Sequence, residues 1–358
     1  MEKQFDTLVF IGRFQPFHNG HKAVIDKALQ HAKEVVVVVG SSFAARSTKN
    51  PFTFEERKTM IDAVYGDQFN YAGAQGRVKT SRVKIVPVSD YPYDDNAWVS
   101  AVQSSVDKVR TGTKTGLIGH SKDSSSYYLK IFPQWRDHVE VENVDGINAT
   151  DIRNALFERE YSESKTFDLM PTESSERLKD FILDNAKIGG VWDGLVTEYH
   201  EIKEYREKSQ MKGFNFPSVF VTTDAVLTQS GYVLLIKRGG FPFKDCWALP
   251  GGYLDKGQFV IDNMIKELRE ETCVKIPAKV LKGSIKDVQI FDHPDRDPRG
   301  RVITHGFHID LGYPDEKLPR VKGADDAKEA RWFHLSEVTS EMMAFDHYHI
   351  IKRFIPTY

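Results

Sequence analysis

The chain is expected to fold as a doubly wound α/β domain with a parallel sheet, followed by an α+β domain. Three features predict this. At 358 residues the chain is long for a single core. Its first half alternates short apolar runs with helical patterns. Its second half opens on a hairpin signal and carries one strong helix among strand-like runs.

In the first half, "TLVFI" (7–11) reads as a strand. Residues 19–33 place Val24, Ala28, Leu29 and Ala32 on one helical stripe. "VVVVV" (35–39) is a buried strand that stops at Gly40. Thr53 and Glu56 form a capping box that opens the helix "FEERKTMIDAVY". "KIVPV" (84–88) is a strand, 95–110 a helix, "GLIG" (116–119) a strand, 123–132 a helix and "HVEVENV" (138–144) a strand. The helix "TDIRNALFER" follows. Such alternation means βαβ units and a parallel sheet whose ligands sit at the carboxyl ends of the strands. Residues 1–186 are assigned to this domain, 187–212 to a charged helical linker and 213–358 to the second domain. There, "SVFVTTDAVLT" and "GYVLLIKR" flank "QSG", and the strong helix covers 259–272.

Composition narrows the class. Hydrophobic residues are 40% and charged residues 28%, as in soluble globular proteins. A net charge of −2 gives no global basic surface for nucleic acid. Two cysteines, Cys246 and Cys273, make neither a disulfide framework nor a thiolate zinc site. The N-terminus lacks the pattern of a signal peptide, and no apolar run is long enough for a membrane, so a cytoplasmic location is expected. A homo-oligomer is compatible with these features.

The first candidate site is "GRFQPFHNGH" (12–21), at the end of a predicted strand. Gly12 lets the backbone approach a ligand, and a helix starting near Gly20 turns N–H groups and a positive dipole end toward an anion. His18 and His21 can donate to phosphate oxygens there, and Arg13 adds a forked donor. The stretch carries the HxGH signature and resembles the nucleotidyltransferase superfamily. With "NPFTFEER" (50–57), "NAWVS" (96–100) and "NATDIR" (148–153), it is similar to archaeal-type nicotinamide mononucleotide (NMN) adenylyltransferases over roughly residues 5–185.

That resemblance implies adenylyl transfer from ATP to NMN, giving NAD and pyrophosphate. It places His18 near the α-phosphate and His21 nearer the β/γ end. Gly12, Arg13, Phe14, Gly20, Arg46, Asn148, Thr150 and Arg153 would surround the phosphates, with Arg153 also catalytic. Asn148 stands where the family motif has Ser, and Asn retains both capping and donor chemistry. Trp98 would stack on the nicotinamide ring, with Asp95 beside it. The same fold adenylylates pantetheine phosphate or flavin mononucleotide elsewhere; Trp98 and "NPFTFEER" favour the nicotinamide case.

The second candidate site is "GGYLDKGQFVIDNMIKELREETCV" (251–274). Glu267, Glu270 and Glu271 recur at i, i+3 and i+4, on one helical face. Hard oxygen ligands at that density suit Mg²⁺, with Mn²⁺ as a substitute. The stretch resembles the Nudix box, with Gly252 opening it. Gln258 stands for the usual Glu, Lys266 for Arg and Cys273 for Gly. "WALPGGYLDKGQ" and "DHPDRDPRGRVIT" (292–304) are similar to Nudix proteins that handle ADP-ribose. The resemblance implies metal-dependent hydrolysis of ADP-ribose to AMP and ribose 5-phosphate, with Glu270 catalytic. Gln258 and Lys266 are expected to meet across the box. Asp325, Asp326 and Glu341 are candidates for the general base, without a choice among them. His305, His308, His347 and His349 read as structural or surface residues. As a whole the chain resembles the bifunctional adenylyltransferase/pyrophosphatase family of bacteria; the alternative keeps the adenylyltransferase and makes the second domain a non-hydrolytic ADP-ribose sensor.

Overall fold

The computed structural model describes residues 3–66, 69–71, 77–79, 81–119, 131–135, 137–141, 146–158, 165–209, 218–313 and 317–356. The helix expected over 123–132 lies almost wholly outside them. Two compact units divide the chain, Met1–Val196 and Thr197–Tyr358. Among the described residues no helix is long and apolar enough to cross a membrane.

The first unit runs β1 (Phe5–Gly12), α1 (Asn19–His31), β2 (Ala32–Val39), α2 (Phe54–Tyr65), β3 (Phe69–Tyr71), β4 (Arg77–Lys79), β5 (Val83–Pro87), α3 (Asp95–Asp107), β6 (Thr115–Gly119), β7 (His138–Glu140), α4 (Ala149–Phe157), α5 (Lys165–Asp168) and α6 (Thr172–Asn185). Helix α7 (Val191–Ser209) spans the division between the units. The main sheet has the order β5-β2-β1-β6-β7 with every pair parallel. Val35 to Val39 are all fully buried, as expected of a parallel strand covered on both faces. Val9, Val36 and Val38 pack with Val102, Val106 and Leu117 in one core cluster. The strand order reverses on either side of β1, so the loop after β1 opens at the switch point where such sheets bind ligands.

The second unit is built on β8 (Val219–Gln229), β9 (Tyr232–Arg238), β10 (Trp247–Ala248), β11 (Gly251–Tyr253), α8 (Val260–Thr272), α9 (Ala278–Gly283), β12 (Ile285–Phe291), β13 (Arg301–Asp310), β14 (Ala327–His334) and α10 (His347–Phe354). The expected hairpin is β8–β9. Its two-residue turn, Ser230–Gly231, has φ of 50° and 81°, the signature of a type I′ turn matched to strand twist. The sheet is mixed: β13 runs parallel to β8, while β9, β11, β12 and β14 pair antiparallel with their neighbours. Met264, Ile265 and Leu268 of α8 pack on Ala225, Leu227 and Phe307. That apolar face fixes the helix's rotation and so decides where its glutamates point.

Candidate functional sites

At the end of β1 the chain turns sharply. Phe14 takes φ 53° and is buried. Its ring covers Gly12: a Cβ there would meet the ring at 2.9 Å. The glycine thus makes room for the Phe14 ring. Gln15 is buried and locks the next loop, donating to Phe52 O at 2.8 Å and accepting from Phe52 N at 3.0 Å.

The two histidines cap α1 reciprocally. His18 Nδ1 accepts the Gly20 N–H at 3.1 Å, and His21 Nδ1 accepts the His18 N–H at 3.3 Å. The rings stack with centroids 3.6 Å apart. A Cβ on Gly20 would lie 3.0 Å from the His18 ring, which is why glycine separates the two. Phe14 and Phe17 wall in His21, with centroids at 4.8 and 5.8 Å. With both Nδ1 atoms acting as acceptors, each neutral ring carries its proton on Nε2. Two oriented N–H donors at a helix N-terminus suit an anion.

Two buried guanidinium groups reinforce this. Arg153 is buried on α4, with Nη1 donating to Gln15 O at 2.7 Å and Nη2 to Thr150 Oγ1 at 3.2 Å. Burial, and then the charge of Arg13, pull its pKa down to about 10. Arg57 is fully buried; it donates to Arg13 O, Gly40 O and Ser41 O and ties together the ends of β1 and β2. Burial lowers it to about 10, with Asp90 opposing and Arg13 adding to the shift. Both stay charged at neutral pH, and an added anion would relieve them. Arg57 escaped the sequence reading, although "FEER" contains it. Asn148 caps α4, its Oδ1 accepting the Asp151 N–H at 2.9 Å, and its Nδ2 donates to Asp151 Oδ2. Arg46, by contrast, closes its fork on Glu56 at 2.8 and 3.0 Å. Trp98 is half-buried on α3 beside the core, its ring 5.9 Å from Phe132. Asp95 is exposed in the first turn of that helix, and Asp94 provides the cap.

In the second unit, Glu267 fits beneath Gly252: a Cβ on that glycine would lie 2.6 Å from Glu267 Oε2. Glu271 is buried and accepts the Gly251 N–H at 2.8 Å. Burial raises it to about 9 against that hydrogen bond, and Asp326 and Glu267 push the same way. Burial also raises Glu267, opposed by Lys266. Glu270 is exposed and meets Lys266 at 3.2 Å. Among the described residues no three acidic or imidazole groups form a ready-made metal cage. The donor set nevertheless fits a hard divalent cation. Carboxylates that resist ionisation because of burial and mutual repulsion are stabilised by one.

Lys266 does not meet Gln258. It pairs with Asp255 at 2.9 Å as well as with Glu270 and, at 3.5 Å, with Glu267. A lysine has no fork to span the box, and Asp255 lies close enough to take its point charge. Asp255 is held in turn by its own N–H donating to Asn263 Oδ1 at 3.0 Å. Cys273 caps α8 with φ 52° and ψ 20°, so its replacement of glycine bears on backbone conformation more than on packing. Of the late acids, Asp326 adds to the upward shift of Glu271.

Residues 9–155 match the Cytidylyltransferase-like family and residues 219–354 the NUDIX domain. A nicotinamide/nicotinic acid mononucleotide adenylyltransferase from Acinetobacter baylyi is 42% identical over 163 residues, which is 45% of this chain and 80% of that protein. An ADP-ribose pyrophosphatase from Methanocaldococcus jannaschii is 36% identical over 160 residues, 45% of this chain and 82% of that one. A crystal structure of a bifunctional NMN adenylyltransferase/ADP ribose pyrophosphatase from Francisella tularensis, complexed with AMP and Mn ion, superposes with TM-score 0.86 and 32% identity over 98% of this chain and 99% of that one. The chain belongs to this bifunctional family. The sequence reading of fold and family therefore holds for both halves. In this chain Lys266 of α8 pairs with Asp255.

Proposed function

We propose that residues 1–186 transfer the adenylyl group of ATP to NMN, and that residues 213–358 hydrolyse ADP-ribose. In the first reaction a 5′-phosphate oxygen of NMN attacks the α-phosphorus of ATP. The bond to the bridging oxygen breaks, and pyrophosphate leaves with its electrons. His18 and His21 present Nε2–H donors to the phosphates, and Arg13 and Arg153 stabilise the spread negative charge. Arg46 has to release Glu56 to join them. Trp98 stacks on the pyridinium ring, favoured because that ring is cationic.

In the second reaction water cleaves the pyrophosphate of ADP-ribose, giving AMP and ribose 5-phosphate. Mg²⁺ or Mn²⁺ held by Glu267, Glu270 and Glu271 would neutralise the pyrophosphate and acidify the attacking water. Glu271 gives up its proton to become a ligand, and Glu270 turns away from Lys266. Asp326, beside Glu271, is the favoured proton acceptor.

The observation that carries the proposal is the pair of histidines locked as Nε2–H donors at the start of α1. The test is to supply the full chain with NMN, ATP and Mg²⁺ and follow NAD, and separately to supply ADP-ribose and follow AMP. Both products are expected. ADP-ribose binding without AMP release would make the second unit a sensor.

A further inference from the structure

Asp224, Arg296, Thr304, Asp346 and His347 form one buried network in the second unit, and neither proposed reaction draws on it. Asp224 lies on β8 opposite Gly251 in register. Thr304 Oγ1 on β13 donates to its Oδ2 at 2.6 Å. Arg296 closes a fork on Asp346 at 3.0 and 2.8 Å, and its Nη2 sits 3.6 Å from Asp224 Oδ2. His347 Nε2 is 3.8 Å from Asp224 Oδ1. On its other side, His347 Nδ1 accepts the Leu249 N–H at 2.9 Å. Burying charges is costly, and apolar replacements of buried ion pairs are often no less stable. A network of this size points to placement rather than to stability.

The placement leads to the glutamates. From Leu249 the chain passes to Pro250, whose carbonyl accepts the Ala225 N–H at 2.9 Å. Next come Gly251, whose N–H holds Glu271, and Gly252, which makes room for Glu267. A side chain at Gly251 would meet Thr223 O at 2.0 Å and Asp224 Oδ1 at 2.7 Å, so the segment is pressed onto β8. Burial pushes the His347 pKa down to about 3. At neutral pH its Nδ1 lone pair is therefore available to Leu249, and its proton sits on Nε2, toward Asp224.

We propose that His347, held by Asp224 and the Arg296–Asp346 pair, is a positioning residue: it fixes segment 249–252 and thereby sets Glu267 and Glu271 at the spacing a divalent cation needs. This rests on the reading of those glutamates as metal ligands. The test is Mn²⁺ binding to the full chain without ATP, read from the electron paramagnetic resonance of free Mn²⁺, with AMP release measured in parallel. His347→Leu keeps the bulk and loses the acceptor; His347→Asn keeps an acceptor oxygen near the position of Nδ1. His347→Leu is expected to weaken Mn²⁺ binding about tenfold, as for other residues that orient metal ligands, and His347→Asn to recover most of that loss. NAD formation should be unchanged in both. Unchanged Mn²⁺ binding in His347→Leu, or equal losses in the two variants, overturns the proposal. Should His347→Leu fail to fold, Thr304→Val removes the hydroxyl from Asp224 at constant shape. Weaker Mn²⁺ binding then supports the proposal, and unchanged binding overturns it. A parent chain that binds Mn²⁺ but releases no AMP refutes the hydrolytic reading alone, because the binding series still decides this one.

Discussion

His18 and His21 in the first unit are fixed by main-chain N–H groups and by the aromatic walls of Phe14 and Phe17. The glutamates of α8 in the second unit are compensated from within: Glu270 by Lys266, and Glu271 by the Gly251 N–H and a raised pKa. The difference follows from the charge each site carries. Buried arginines can await an anion in place because main-chain carbonyls accept from them, and the imidazoles because main-chain N–H groups hold their Nδ1 atoms. Clustered carboxylates repel one another, so without a cation they must borrow a proton or a lysine. The proposed phosphate site is thus largely assembled by its own fold, while the proposed metal site would be completed only by a bound cation.

The largest effect that would sharpen this contrast is expected at the preorganised site. His21→Ala removes one donor and the partner of His18. NAD formation should fall by roughly 10²–10³ in kcat, the usual loss for one transition-state donor, with AMP release intact. Steady-state kinetics of both reactions check this, and near-normal synthesis would remove His21 from the chemistry.

The second site should respond to pH through Glu271. Glu271 has a native pKa of about 9 against an ordinary 4.5. The folded, metal-free chain keeps a proton that the unfolded chain releases between those values. That contribution to stability is complete below about 4.5 and is lost as pH rises through about 9. Mn²⁺ competes with the same proton, so its affinity should rise with pH across this window, by up to about tenfold per unit, and level off above it. Calorimetric titrations at several pH values provide the measurement; a flat profile would mean that Glu271 binds no metal.

A smaller effect concerns Lys266. Asp255→Asn is expected to lower AMP release by about threefold, as befits an exposed pair, whereas Gln258→Ala should leave it near the parent level. Double-mutant cycles with Lys266→Ala should show coupling to Asp255 and none to Gln258. The smallest effect is at Cys273, whose left-handed backbone suits glycine. Cys273→Gly should stabilise the second unit by about 1 kcal/mol without changing AMP release. Thermal unfolding measures it.

What was legible in the sequence was what lies close along the chain. The run at 35–39 announced a doubly buried strand, and "QSG" announced the hairpin. HxGH showed its two histidines, and their spacing placed both at the start of one helix. Less legible were contacts whose partners are far apart in sequence. Nothing in "FEER" singles out Arg57, yet it is buried under two strand ends. His347 reads as structural, and only the fold brings it to Leu249, 98 residues away. The pairing of Lys266 was misplaced for a different reason. The box pattern directs attention to position 258, while the shorter reach of a lysine selects Asp255.

If one chain carries two separable sites, Glu271→Gln should silence one reaction and spare the other. Both reactions are assayed on the full-length variant and on the parent at the same Mg²⁺ concentration. Loss of a charged metal ligand should cut AMP release by more than about a hundredfold, with NAD formation unchanged. AMP release that survives the substitution, or NAD formation that falls with it, would mean that Glu271 is not a metal ligand or that the two sites are not separable.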